Sequence, residues 1–390
     1  MAIYIERATA VASMDWTRWR AEFPSAERQV HMNHAGISPL PRRVAEAIRA
    51  FAEDGLILDG EIYRRWEQRA DAVRDAAARL IGARAREIAF VRSTSEGLSL
   101  AASGLEWRAG DNVVTVADEY PSNVYPWFGL RRFGVETRLL QRPQLCFGCD
   151  EIATVVDART RVLAVSAVDW QSGFRTDLAA LGEFCRQRGI LFVVDAIQSM
   201  GALQTDVEAC AIDVLSAGGH KWLLGPEGCG VLFVSDRVVE RFHPPVLGWK
   251  SVDNANAYLP YHFDLRSDAA RFEPGSAPHL GIHALGAALD LLHDVGPAAI
   301  EARVLETTDR LTEGLRRIGA TILSPRSGAD RSAILTFALG DTAALHRALL
   351  DASVLTRPRL GGIRLAPHFY NDADDIARVL DVVSAFAKRA

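Results

Sequence analysis

Lys221 is rare for its type in this chain. Lysine and arginine together number 44 among 390 residues, yet Lys221, Lys250 and Lys388 are the only three lysines. Lys221 stands in "SAGGHKWLLGPEGCG", between an apolar run and a loop rich in Gly and Pro. A lysine amine can lose its proton and act as a nucleophile, whereas a guanidinium in a protein does not. Upstream, Asp195 closes the apolar run "LFVVDA", and "FVRSTSEG" places Ser93, Thr94 and Ser95 at the start of a helical segment. Free N–H groups and hydroxyls at a helix N-terminus make a natural phosphate site. In open α/β sheets ligands bind outside the carboxyl ends of the strands. A nucleophilic amine, an acid and an anion cradle are therefore expected at one sheet edge.

Pyridoxal 5′-phosphate (PLP) calls for these three features. A lysine forms a Schiff base with it, an acid keeps its pyridine nitrogen protonated, and a helix end holds its phosphate. Taken singly, each has a plainer explanation: a lysine after a strand is commonly a solvated loop residue, and an aspartate there commonly caps a turn. Their joint occurrence carries the reading.

The elements that must position these residues follow from hydrophobic periodicity. "EQRADAVRDAAARLIG" has helical spacing. "EIAFV", "DNVVTVA", "VETRLL", "RVLAVSAV", "ILFVVDA", "DVLSAG" and "GVLFVS" are short, β-branched and apolar on both faces, as in strands of a mostly parallel sheet. Helical segments such as "DLAALGEFCRQRG" alternate with them, giving an α/β layered fold with a seven-stranded sheet. After "RFEPGSAPHLG" the pattern changes to long helices with a few strands. The expected organisation is a large domain over 33–284 and a smaller α+β domain over 285–390. Residues 1–32 form an N-terminal segment, whose part from Met14 onward packs with the small domain and whose first thirteen residues are an extension.

Composition excludes several classes. The net charge of −5 gives no basic face for nucleic acid or an anionic membrane. No apolar run is long enough to span a bilayer, and the N-terminus lacks a secretory pattern, so a cytoplasmic protein is expected. Five cysteines make no disulfide framework, and the lone "CFGC" has no second pair to complete a zinc site.

Several motifs, in order, resemble the class V aminotransferase family of fold-type I PLP enzymes, which includes cysteine desulfurases, kynureninase and isopenicillin N epimerase. They are "HMNHAGISPLP", "STSEG", "VVDAIQSMG", "SAGGHKWLLGPEGCG", "RFEPGS" and "IRLAPHFYND", and the match runs from about residue 30 to the end. The resemblance implies Lys221 as the Schiff-base lysine, Asp195 as partner of the pyridine nitrogen, and Gln198 as hydrogen-bonded to the ring oxygen. It implies Thr94, Ser95 and His220 at the phosphate, joined by Ser276 from a second subunit, and hence a homodimer with shared sites. Arg364 is implied as the clamp for the substrate α-carboxylate, its fork suiting that job; a surface ion pair is the plainer alternative. Asn33 and His34 are expected at the substrate entrance.

Two positions depart from the desulfurase pattern. Tyr120 stands where many desulfurases stack a histidine on the cofactor, and Trp170 where they carry an asparagine; Trp170 either narrows the pocket or is a core residue. The desulfurase cysteine loop, expected shortly before the arginine, is replaced by the short, cysteine-free "DASVLTRPRLGGIRLAP". A persulfide mechanism needs such a thiolate, so desulfurase is not the leading expectation. That expectation is a β-eliminating C–S lyase acting through a Cα carbanion. A class V aminotransferase, an epimerase and a non-catalytic PLP-fold protein remain alternatives, because the fold does not fix the reaction. Tyr125, Trp127 and "LGWKSVDNANAYLPYHF" add aromatics that suit either the cleft mouth or a dimer interface.

Overall fold

The computed structural model describes residues 14–389, so the expected extension over 1–13 lies outside the described residues. The seven apolar runs form one sheet: β1 (Ile88–Val91), β2 (Asn112–Val116), β3 (Glu136–Leu140), β4 (Thr160–Ser166), β5 (Leu191–Asp195), β6 (Val214–Gly218) and β7 (Gly230–Val234). Their order is β1-β7-β6-β5-β4-β2-β3. All neighbours run parallel except β7, which is antiparallel to both β1 and β6. Strands β5, β6 and β7 are buried along their whole length, as the two-sided apolar runs require.

Helices cover both faces. The longer ones are α1 (Arg42–Ile57), α2 (Ile62–Ile81), α3 (Thr94–Gly104), α4 (Leu178–Arg188), α5 (His279–Val295), α6 (Pro297–Ile318), α7 (Thr342–Asp351) and α8 (Ala373–Ala387). One core cluster joins α2, α4 and α5 to the sheet, and a second lies on its other face with α3. Helix α5 runs unbroken through position 285 and packs on α1 and α2, so a division at 284/285 would cut it.

The C-terminal part adds a second, antiparallel sheet of β8 (Thr321–Ile322), β9 (Leu335–Ala338), β10 (Arg357–Arg359) and β11 (Gly362–Leu365), in the order β10-β11-β9-β8. Residues of α6, α7 and α8 share a core with it. The N-terminal segment joins this part: Val30–His31 pairs in parallel with Val354–Leu355, and Phe23 stacks on Tyr370 at 3.8 Å.

Candidate functional site

Strands β1, β6, β5, β4 and β2 present their carboxyl ends at one edge, where a cavity of about 260 Å³ opens. The antiparallel return from β6 to β7 forms the loop over 219–229, which carries Lys221 into it. The loop is pinned by Gly219 N–H to Cys229 O (2.8 Å) and Gly225 N–H to Gly219 O (2.8 Å). From the stretch ahead of α1, the Ser38 hydroxyl donates to Lys221 O (2.5 Å). The Lys221 amine is buried and lies 5.5 Å from the centroid of the Tyr120 ring. Burial lowers its pKa to about 8; Asp195 opposes the shift, while Arg364 and Arg359 add to it.

Asp195 ends β5, between Ser166 of β4 and Ser216 of β6 in register. Its Oδ1 accepts from Ile197 N–H (3.0 Å), while its buried Oδ2 has no hydrogen-bond partner. Burial raises its carboxyl to about 6. Sequence reasoning missed a neighbour, Glu119. Part of that residue remains accessible, but its carboxyl group is turned inward and accepts from Ser166 N–H (2.7 Å) and Ser166 Oγ–H (2.5 Å). Burial raises it to about 7, with Asp195 and Asp169 contributing.

The anion cradle is the start of α3. Ser93 is the N-cap, its hydroxyl accepting from Glu96 N–H (3.2 Å). Thr94 and Ser95, in the first turn, cannot donate their N–H groups within the helix. Thr94 Oγ1 accepts from Gly218 N–H (2.9 Å), tying α3 to the end of β6. Ser95 Oγ lies 2.7 Å from Ser122 Oγ, and His220 faces the same space.

On the opposite wall, Arg364 of β11 is buried. It donates to Trp170 O (2.5 Å) and Asn33 Oδ1 (3.2 Å), and its Nε has no partner. Burial, with Arg359 and Arg357 next, lowers its pKa to about 9. Among the described residues no carboxylate pairs with it, and it is buried rather than on the surface, unlike the surface ion-pair alternative. Trp170 is half-buried at the cleft wall, donates to Asp118 O (3.0 Å) and meets Tyr120 edge-on at 5.4 Å, so it is not a core residue. Its turn is held by Asp169, which forms a buried ion pair with Arg142.

Lys221, Asp195, Thr94, Ser95, Tyr120, Gln198, His220, Trp170 and Arg364 thus line one cleft. Gln198 reaches it while bonding Ala35 O (3.0 Å) and accepting from the Trp222 indole (2.9 Å). Asn33 does not line the cleft, and its Oδ1 accepts from Arg364. His34 does not reach the cleft: it is fully buried, with its ring nitrogens on Ala366 O (2.8 Å) and Tyr370 OH (3.0 Å). Ser276 is exposed and does not line the cleft of its own chain. Of the expected aromatic mouth, Tyr120 and Trp170 alone line the cleft; Trp127 is a core residue bonded to Asn123 (3.3 Å), since its indole N–H finds a partner inward. Arg357 and Arg359 line the cleft without having been anticipated; their signal was the period-2 spacing of "RPR" just before Arg364.

The residues fit PLP. Asp195 Oδ2 is a buried acceptor lacking a donor, the α3 terminus offers unsatisfied N–H groups, and Lys221 lies in the same cavity. The model of the family "Aminotransferase class-V" matches residues 30–357. The chain belongs to the class V aminotransferase family. It is a PLP-dependent enzyme. This class V enzyme is 30% identical to isopenicillin N epimerase of Streptomyces clavuligerus, with 96% of this chain and 99% of that protein covered. It is 27% identical to a probable cysteine desulfurase of Pyrococcus abyssi, with 95% and 97% covered. Its fold matches the cystine C–S lyase C-DES, solved with its reaction product cysteine persulfide, at a TM-score of 0.85 and 22% identity, over 93% and 99% of the two chains. At that identity the match speaks for the fold alone.

Proposed function

We propose that this enzyme is a β-eliminating lyase that acts on an α-amino acid with sulfur as the leaving atom at Cβ. The observation that carries the reading is a cleft holding Lys221, Asp195 and Arg364 without a thiol. None of the five cysteines lines it, all are free, and burial pushes each thiol upward, Cys229 to about 12. A persulfide-forming nucleophile is therefore not at hand.

Arg364 binds the α-carboxylate with its planar fork, held in place by Trp170 O and Asn33 Oδ1. PLP, when bound, supplies the electron sink for the pair left at Cα. The Lys221 amine, lowered to about 8, is partly unprotonated near neutrality and takes the Cα proton at Nζ. Asp195 Oδ2, buried without a protein donor, would accept from the ring nitrogen and hold its proton in place. Tyr120 and Trp170 narrow the access of water from the cleft wall. Sulfur leaves Cβ with the electron pair of the C–S bond and takes up a proton as a thiol, and the remaining three-carbon enamine is hydrolysed by one water to pyruvate and ammonia.

We also propose that two copies associate, with Ser276 reaching the partner's site. Trp249, Tyr258, Tyr261 and Phe263 are exposed, and Lys250 N–H bonds Pro274 O (3.2 Å), linking that stretch to the loop of Ser276. A monomer mass by light scattering would overturn the association. The reaction is tested by visible spectra of the PLP-loaded protein with a panel of amino acids and cysteine S-conjugates. Joint release of pyruvate and ammonia from one member is expected. A cofactor band lost with an amino acid and restored by a keto acid means transamination, stereoinversion of the recovered amino acid means epimerisation, and either retires the lyase.

A further inference from the structure

Strands β10 and β11 form a hairpin whose turn, Leu360-Gly361, has φ of 51° and 72° at its two residues. Positive φ at both positions is the two-residue turn that fixes hairpin register. The register puts Arg357 directly opposite Arg364, with Arg359 two residues along on the same face. Directly opposed like charges repel, with Cβ atoms about 5 Å apart. All three arginines face the cleft that holds Lys221. None forms an ion pair with a carboxylate among the described residues, whereas Arg74, Arg142 and Arg326, whose side chains are also withdrawn from solvent, each do. Arg359 is braced 5.0 Å over the Trp170 ring, and its buried Nε has no partner.

One α-carboxylate occupies one fork, that of Arg364. The hydroxyls and helix end at Ser93–Ser95 provide for a phosphate on the opposite wall. Arg357 and Arg359 then remain as cations without anions, at a mouth where field lines concentrate. We propose that Arg357 and Arg359 bind a second anionic group, so that the substrate is an amino acid whose side chain ends in a carboxylate or another acidic group. This rests on the functional reading above, which assigns the α-carboxylate to Arg364.

The test is a spectral titration of the PLP-loaded protein with S-carboxymethyl-L-cysteine and its uncharged isostere S-carbamoylmethyl-L-cysteine, run in parallel with glutamate and glutamine. The acidic member of each pair is expected to bind about ten-fold tighter or more at low salt. That preference should shrink as salt rises. In a protein with both Arg357→Gln and Arg359→Gln it should fall to within about twofold while the PLP band persists. Equal affinities in the wild type, or a preference that survives the double substitution, overturn the proposal. So does a parallel loss of PLP affinity in the variant, which would assign the arginines to the cofactor phosphate. If the variant does not fold, the wild-type preference and its salt dependence decide the matter. A protein that gives no band with PLP overturns the functional reading along with this one, whereas a band without charge preference overturns this one alone.

Discussion

Gly97 of α3 lies against Ser216 of β6 so closely that a Cβ at position 97 would sit 2.2 Å from Ser216 Oγ. Absence of a side chain lets the helix settle on the strand, and the same approach brings Thr94 Oγ1 to Gly218 N–H at 2.9 Å. This contact joins the anion cradle to the strand end from which the loop of Lys221 departs.

Gly97→Ala should therefore lower stability by about 1–3 kcal/mol, the cost of overpacking a tight core. It should also weaken PLP binding, because α3 must shift away from the loop. Thermal melts and fluorescence titration with PLP check both effects. Adding Ser216→Ala, which removes the nearest atom, should recover part of each; equal stability of Gly97→Ala and wild type would show that the helix yields without cost.

Covalent capture of PLP requires the unprotonated Lys221 amine. With a pKa of about 8, the capture rate should rise with pH and level off above about 8 rather than near 10.5. Arg359→Gln removes a cation that lowers this pKa, so the midpoint should move to higher pH. Stopped-flow absorbance across pH measures it; a midpoint unmoved by Arg359→Gln would separate the two residues electrostatically.

The sheet was legible because its strands are buried on both faces and so read as unbroken β-branched runs: "ILFVVDA" became β5 with little room for another reading. Lys221 and Asp195 were legible because strand ends at the sheet edge fix where ligands bind. His34 misled, since its neighbour Asn33 touches Arg364 while its own ring turns to Ala366 and Tyr370, a choice set by packing between residues 332 and 336 positions apart in the chain. Glu119 was invisible for a similar reason. Nothing in "ADEYPSN" distinguishes it from a solvated acid until Ser166 is brought beside it by β4. Arg357 and Arg359 were hidden because three strand residues give too short a pattern to name a face without the register of β11.

Asp195→Asn should separate folding from catalysis. The carboxyl is raised to about 6 in the folded chain, against an ordinary value of 3.8, so ionisation penalises the cofactor-free fold as pH rises through this window and fully above it. The amide removes that penalty, so the cofactor-free variant should melt higher than wild type at and above neutral pH. It also removes the charge facing the ring nitrogen. Turnover should fall by about 10²-fold or more, the scale of losing one electrostatic partner of the reacting group. Unchanged turnover would remove Asp195 from the mechanism.

Glu119 gives the sharper pH signature. Its folded pKa of about 7 exceeds the ordinary 4.5, so between these values the folded chain holds a proton that the unfolded chain has released. Stability from this group is thus present at low pH and is lost as pH rises toward 7, with no further loss above it. Glu119→Gln keeps the shape and one acceptor toward Ser166 while abolishing the titration. Its melting temperature relative to wild type should climb between about pH 5 and 7 and then stay level. A difference that is flat across that range would mean that Glu119 ionises freely, and that its two bonds to Ser166 outweigh its burial.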